Sequence, residues 1–158
     1  MTHNMFARKE EHAEMEDLIE GWTHDSKNIK PAFLKLRDWL SGKENATLSF
    51  KSRSGISHSL RANVGKTGGI EGRLFVMVDI VDDDPENRWL SVCFYGDMIT
   101  DPDEEGDLVP GGLLGEDGYC FDLYEYDEAA ISYLEQRIDE AYANSLSPYP
   151  GKGLRPTI

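Results

Sequence analysis

A chain of 158 residues with 39% hydrophobic and 10% aromatic content has enough large apolar side chains for one ordinary core, which excludes a disordered polymer. Thirty Asp and Glu against sixteen Lys and Arg give a net charge of −14. The longest apolar run, Leu74–Val78, is far short of the ~20 residues a membrane-spanning helix needs, and the charged N-terminus has no apolar signal region, so a soluble, cytoplasmic protein without a membrane partner is expected.

In residues 5–22, Met15, Leu18, Ile19 and Trp22 recur at a spacing of three to four, which predicts an amphipathic helix. A second helix is expected from about Pro31, a residue that loses nothing by lacking an N–H in the first turn, with Phe33, Leu36 and Leu40 as its apolar face. The period then changes from helical to alternating. TLSFKSR (47–53) and ISHSLRANV (56–64) predict a hairpin that turns at Ser54–Gly55, with Ile56, His58, Leu60, Ala62 and Val64 on one side. GKTGGIEG (65–72) is a glycine-rich connection. It is not a phosphate-binding loop, because Leu60 stands where that pattern needs its first glycine and a strand follows instead of a helix.

RLFVMVDIV (73–81) is apolar on both faces except at Asp79 and predicts a central strand covered on both sides. DDDPENR predicts a type I turn with Pro85 at its second position and Asn87 at a left-handed one, and WLSVCFYGDMI (89–99) returns as the hairpin partner. A short strand, GYCFDLY (118–124), follows the glycine-rich segment 111–118. A last helix runs from an N-cap at Asp127 to about Asn144 and buries Ile131, Leu134, Ile138 and Ala141. The expected fold is a single α+β domain over residues 1–146. It has an antiparallel meander of four to five strands, with two N-terminal helices and one C-terminal helix packed on it. Residues 147–158 are expected to form an extended or mobile tail.

Few residues carry chemistry at a recognisable spacing. Asp101, Asp103, Glu105 and Asp107 lie in a loop that resembles the start of a calcium-binding loop, but the twelfth position, which should supply a bidentate glutamate, is Gly112. The competing explanation makes Asp101 an N-cap, Pro102 the first residue of a short helical turn, and Gly106 its left-handed stop. That explanation is preferred, no cofactor is expected, and calcium is kept as the minority reading. Cys93 and Cys120 lack metal or redox-motif spacing and are expected to be reduced core thiols. His58 lies among apolar residues and is expected to be a hydrogen-bonded core histidine, and no nucleophile elbow or zinc motif is present.

Alternation places Lys51, Arg53, Ser57, Ser59 and Arg61 opposite the apolar side of the hairpin, with Asp79, Cys93 and Tyr95 able to share that face. Such a floor suits a carboxylate or phosphate ligand. Residues 79–128 hold seventeen Asp and Glu against Arg88 alone, whereas residues 27–73 hold ten Lys and Arg against three acids. Nucleic acid is therefore an unsuitable partner, and a basic protein surface a suitable one for residues 79–128. The sequence reads as a non-catalytic binding module for a protein partner or a small ligand. The alternatives are an enzyme that uses Arg53, Arg61, Asp79 and Tyr95, or a divalent-cation binder. The oligomeric state is not encoded in any motif.

Overall fold

The computed structural model describes residues 5–65 and 72–146. Among these residues, three helices, α1 (Lys9–Gly21), α2 (Ile29–Ser41) and α3 (Glu128–Ser145), accompany six strands. The strands are β1 (Ala46–Arg53), β2 (Ser57–Val64), β3 (Arg73–Val81), β4 (Trp89–Tyr95), β5 (Asp107–Leu113) and β6 (Glu116–Leu123). They form one antiparallel sheet in the order β1-β2-β3-β4-β6-β5, so the meander expected from sequence holds through β4. β6 then pairs with β4, and β5 becomes the outer edge.

The helices cover one face. Leu48, Phe50, Leu60, Ala62, Val78, Ile80, Leu90, Val92, Phe94 and Phe121 project from the sheet into a core closed by Met15 and Trp22, by Phe33, Leu36 and Leu40 of α2, and by Ile131, Leu134 and Ile138 of α3. Each fully buried large side chain contributes about 1.5–3 kcal/mol, which is why the helical stripes and the strand alternation dominate the architecture. A bulge between Ala62 and Asn63 leaves Phe75 unpaired in β3, so consecutive Phe75 and Val76 both join the helix-side core.

Several local expectations change. Helix α2 starts at Ile29, because both carboxylate oxygens of Asp25 accept from the Ile29 and Lys30 N–H groups at 2.7 and 2.9 Å. Pro31 is therefore inside the first turn instead of opening it. Asn87 is the last residue of the Asp84–Asn87 turn and donates its N–H to the Asp84 carbonyl, so it needs no left-handed backbone. The sheet has a sixth strand, β5, where sequence reading placed only a connection. The Leu114–Gly115 turn that joins it to β6 has φ of 52° and 88° at its two central residues.

The edges are treated differently. Edge β1 is covered by residues 5–7, with a parallel bridge between Phe6 and Leu48, and by Glu11, whose Oε1 accepts from the Phe50 N–H. Edge β5 relies on Pro110 and a left-handed Gly111 to break its register. Residues 66–71, which include most of the glycine-rich connection, and the tail 147–158 lie outside the described residues.

Candidate functional site

Register lays out the sheet face opposite the main core in rows. One row reads Lys51, Ser59, Asp79, Ser91 and Asp122 across β1, β2, β3, β4 and β6. The next reads Ser49, Arg61, Met77, Cys93 and Cys120, and the row on the other side begins with Arg53 and Ser57. Among the described residues the helices pack on the opposite face, although Glu11 of α1 reaches Lys51 at the β1 edge and Ser57 and Ser59 are themselves buried. The β5–β6 hairpin reaches over part of these rows, with Leu113 packed against Leu74 and Met77, and Cys93 and Tyr95 beside it.

Of the expected ligand-binding residues, Lys51 and Arg61 line one groove of about 350 Å³ along β1 and β2, together with Arg8, Glu11, Asn63 and Leu114. Lys51 is paired with Glu11 at 3.2 Å, and the Arg61 Nε donates to the Ser59 hydroxyl at 3.2 Å. Asp79 occupies the adjacent row. Burial pushes its carboxyl above the usual range, against the opposing influence of the Ser59 hydroxyl and of Arg61 and Arg53, and its Oδ1 is buried without a hydrogen bond. Arg53 stands exposed at the end of β1. Tyr95 is set apart, against the hydrophobic patch under the hairpin, and burial together with Glu116 raises its hydroxyl pKa.

The acidic loop is built differently from a calcium site. Asp101 Oδ1 accepts from the Glu105 N–H at 3.1 Å and from the Tyr133 hydroxyl at 2.5 Å, while Oδ2 accepts from the Gly106 N–H at 2.9 Å. Burial alone would raise this carboxyl, but these hydrogen bonds outweigh it and hold the pKa below the ordinary value. The loop is a β-turn closed by Glu104 N–H to the Asp101 carbonyl, not a helical turn, and the left-handed residue is Glu104. Gly106 is needed for a close approach instead, since a Cβ there would lie 2.6 Å from the Phe121 ring. Among the described residues, no group of three or more His, Cys, Asp and Glu is arranged to hold a metal ion.

Beside this turn, Asp103, Glu105 and Asp127 rim a groove of about 260 Å³ whose floor is Phe121, Leu123, Ala130 and Leu134. No salt bridge reaches any of these three carboxylates among the described residues. The Asp127 side chain caps α3 by accepting from the Ala130 N–H.

Sequence reading missed a polar chain built around the buried His58 and Asp82. The Ser52 hydroxyl lies 2.8 Å from Nδ1 of His58, and His58 Nε2 lies 2.7 Å from Oδ2 of Asp82. Arg88 Nε donates to Oδ1 of the same carboxylate at 2.7 Å. Burial raises the Asp82 pKa, but the hydrogen bonds from Arg88 and His58 lower it by more, so the carboxylate is ionised and His58 Nε2 carries a proton. The Ser–His–Asp order invites a nucleophile reading. However, Arg88 neutralises the acid, and neither groove described above includes Ser52. The chain ties β1, β2 and the β3–β4 turn together, and in sequence its only signal was His58 on the apolar side of β2.

Cys93 and Cys120 are also not the reduced core thiols expected. They are register partners on β4 and β6, on the face opposite the main core, and are joined as a disulfide. No helix among the described residues is long and apolar enough to cross a membrane. No protein-family model, curated protein or solved structure matches this chain.

Proposed function

We propose that this chain is a cytoplasmic, non-catalytic binding module that holds a small carboxylate- or phosphate-bearing ligand in the groove between β1, β2 and the β5–β6 turn. The observation that carries this reading is a local inversion of charge. The groove sets Arg8, Lys51 and Arg61 against Glu11 alone, on a protein whose net charge is −14. A guanidinium fork with neighbouring hydroxyls and amides is a chemically suitable receptor for planar or tetrahedral oxyanions. Leu114 adds an apolar wall in a positive-φ conformation, the kind of local strain that functional loops retain. Calorimetric titration with phosphomonoesters and dicarboxylates is expected to give saturable heat that Arg61→Gln weakens at least about tenfold while its circular dichroism spectrum stays that of the folded parent chain. No saturable heat from either ligand class at millimolar concentration would remove the reading.

A second reading rests on the acidic groove beside α3. Its carboxylates, none of them in a salt bridge among the described residues, over an apolar floor suit the long side chain of a Lys or Arg from a basic protein segment, with the aliphatic stem on Phe121 and Leu134 and the charge at the rim. Binding of an arginine-rich peptide should then fall steeply between ~0.05 and ~0.5 M salt, and a salt-insensitive or absent interaction would exclude it.

A further inference from the structure

The geometry points to Cys93 and Cys120 as a reversible thiol–disulfide site that exchanges with small-molecule thiols and disulfides while the domain stays folded. The two residues are directly opposed across β4 and β6, with Cα atoms 4.2 Å apart. That spacing is the narrow, non-hydrogen-bonded type of antiparallel pair, which brings side chains closest together. The ladder therefore holds both sulfurs adjacent whether or not they are bonded. It runs from Leu90–Leu123 to Tyr95–Gly118, so losing the bond releases no segment of chain.

Access favours exchange as well. Both cysteines are half-buried on the face opposite the main core. A disulfide that staples a fold resists reduction, whereas one within reach of solvent is labile to an attacking thiolate. The Ser91 hydroxyl lies 3.6 Å from Cys93 Sγ and can donate to that sulfur as it becomes a thiolate, which makes Cys93 the better leaving group.

The exchange balances in two steps. A small thiolate attacks Cys120 Sγ, the Cys93–Cys120 bond breaks, and Cys93 leaves as a thiolate. A second small thiolate then attacks the non-protein sulfur of the mixed disulfide, releasing Cys120 as a thiolate and a small-molecule disulfide as the oxidised product. The reverse sequence consumes one small-molecule disulfide, re-forms the protein bond and returns two thiols.

The test equilibrates the intact folded chain with glutathione mixtures from fully reduced to fully oxidised, then quenches, alkylates and weighs it. The expected result is complete interconversion between a protein with two alkylated thiols and one with none, with an unchanged circular dichroism spectrum. Cys120→Ser, which cannot form the bond, is expected to gain one glutathione at Cys93 while folded. A bond that opens only after denaturant is added would overturn the proposal, as would thiols that stay alkylatable in oxidised glutathione or a folded Cys120→Ser chain that takes no glutathione. These outcomes do not depend on whether the β1–β2 groove binds an anion, because that reading is scored by titration heat.

Discussion

Replacing Asp82 by Asn tests the polar chain around His58 and Asp82 most directly. Asp82 is 6% exposed, and Arg88 Nε and His58 Nε2 both lie 2.7 Å from it, with a second Arg88 nitrogen at 3.5 Å. The amide has a similar shape but only one oxygen, so one donor would face an NH₂ group and Arg88 would lose its counter-charge. Breaking a buried pair in this way costs about 3–5 kcal/mol. The lower end, about 3 kcal/mol, is expected here, because Arg88 adjoins the exposed 83–87 turn and its guanidinium stays over the Trp22 ring at 5.2 Å. The folded-state pKa of Asp82 is depressed, so its contribution is complete above the ordinary carboxylate value of ~3.9 and is lost as pH falls through the lower folded value. Urea unfolding at neutral pH should show the loss as a lower midpoint at constant slope, and the gap to the parent chain should narrow in acid. Adding Arg88→Met should recover part of the loss, because the uncompensated cation is then gone. A neutral-pH loss below about 1 kcal/mol, or a gap that does not narrow in acid, would refute the reasoning.

Four further outcomes are expected. Asp79→Asn should stabilise the fold by up to about 1 kcal/mol at neutral pH, because burial raises that carboxyl and its favourable contribution is lost as pH rises through the folded value. The gain over the parent chain should vanish below about pH 4 in the same urea assay. Gly106→Ala should cost about 1–3 kcal/mol by urea unfolding, since its Cβ would overlap a Phe121 ring already packed edge-on against Phe94 and Tyr133. Leu114→Asn should raise Tm by about 2–4 °C, because Leu114 is 60% exposed at φ 52° and Asn–Gly is the preferred pair for this turn. Calcium titration should give no saturable heat, because backbone N–H groups and Tyr133 already occupy the Asp101 carboxylate.

Where one residue pattern determined the outcome, the fold was legible. Alternation in TLSFKSR and ISHSLRANV separated Leu48, Phe50, Leu60, Ala62 and Val64 as core residues, but Ile56 falls in the turn and is 54% exposed, and Ser57 and Ser59 on the opposite side are buried; the stripe Ile131, Leu134, Ile138 and Ala141 is wholly buried in α3. Strand β5 was illegible because it breaks the usual local rules. It contains Pro110 and two glycines, is exposed until Leu113, and ends in a turn that places Leu114 where Asn is usual. Its pairing with β6 supplies what the local sequence does not. The α2 cap was missed for a different reason, since Asp25 acts three residues before the conventional cap position, held by Asn28 in left-handed conformation.

The candidate sites depend on register more than on residue type. Arg61 is two residues from both Ser59 and Asn63 in sequence, but its place beside Lys51 in the groove follows from the pairings Lys51–Ser59 and Ser49–Arg61. Cys93 and Cys120 are 27 residues apart and meet only because β6 bypasses β5 to pair with β4. A one-residue slip of β6 would turn Cys120 and Asp122 towards the core and expose Phe121, so the burial of Phe121 at 4% enforces the alignment that joins the sulfurs. The core face thereby sets the chemistry of the opposite face. A core substitution at Phe121 that preserves the fold but loosens β6 should accordingly disturb the cysteine pair before it disturbs the Lys51–Arg61 groove, which β1 and β2 hold through their own ladder.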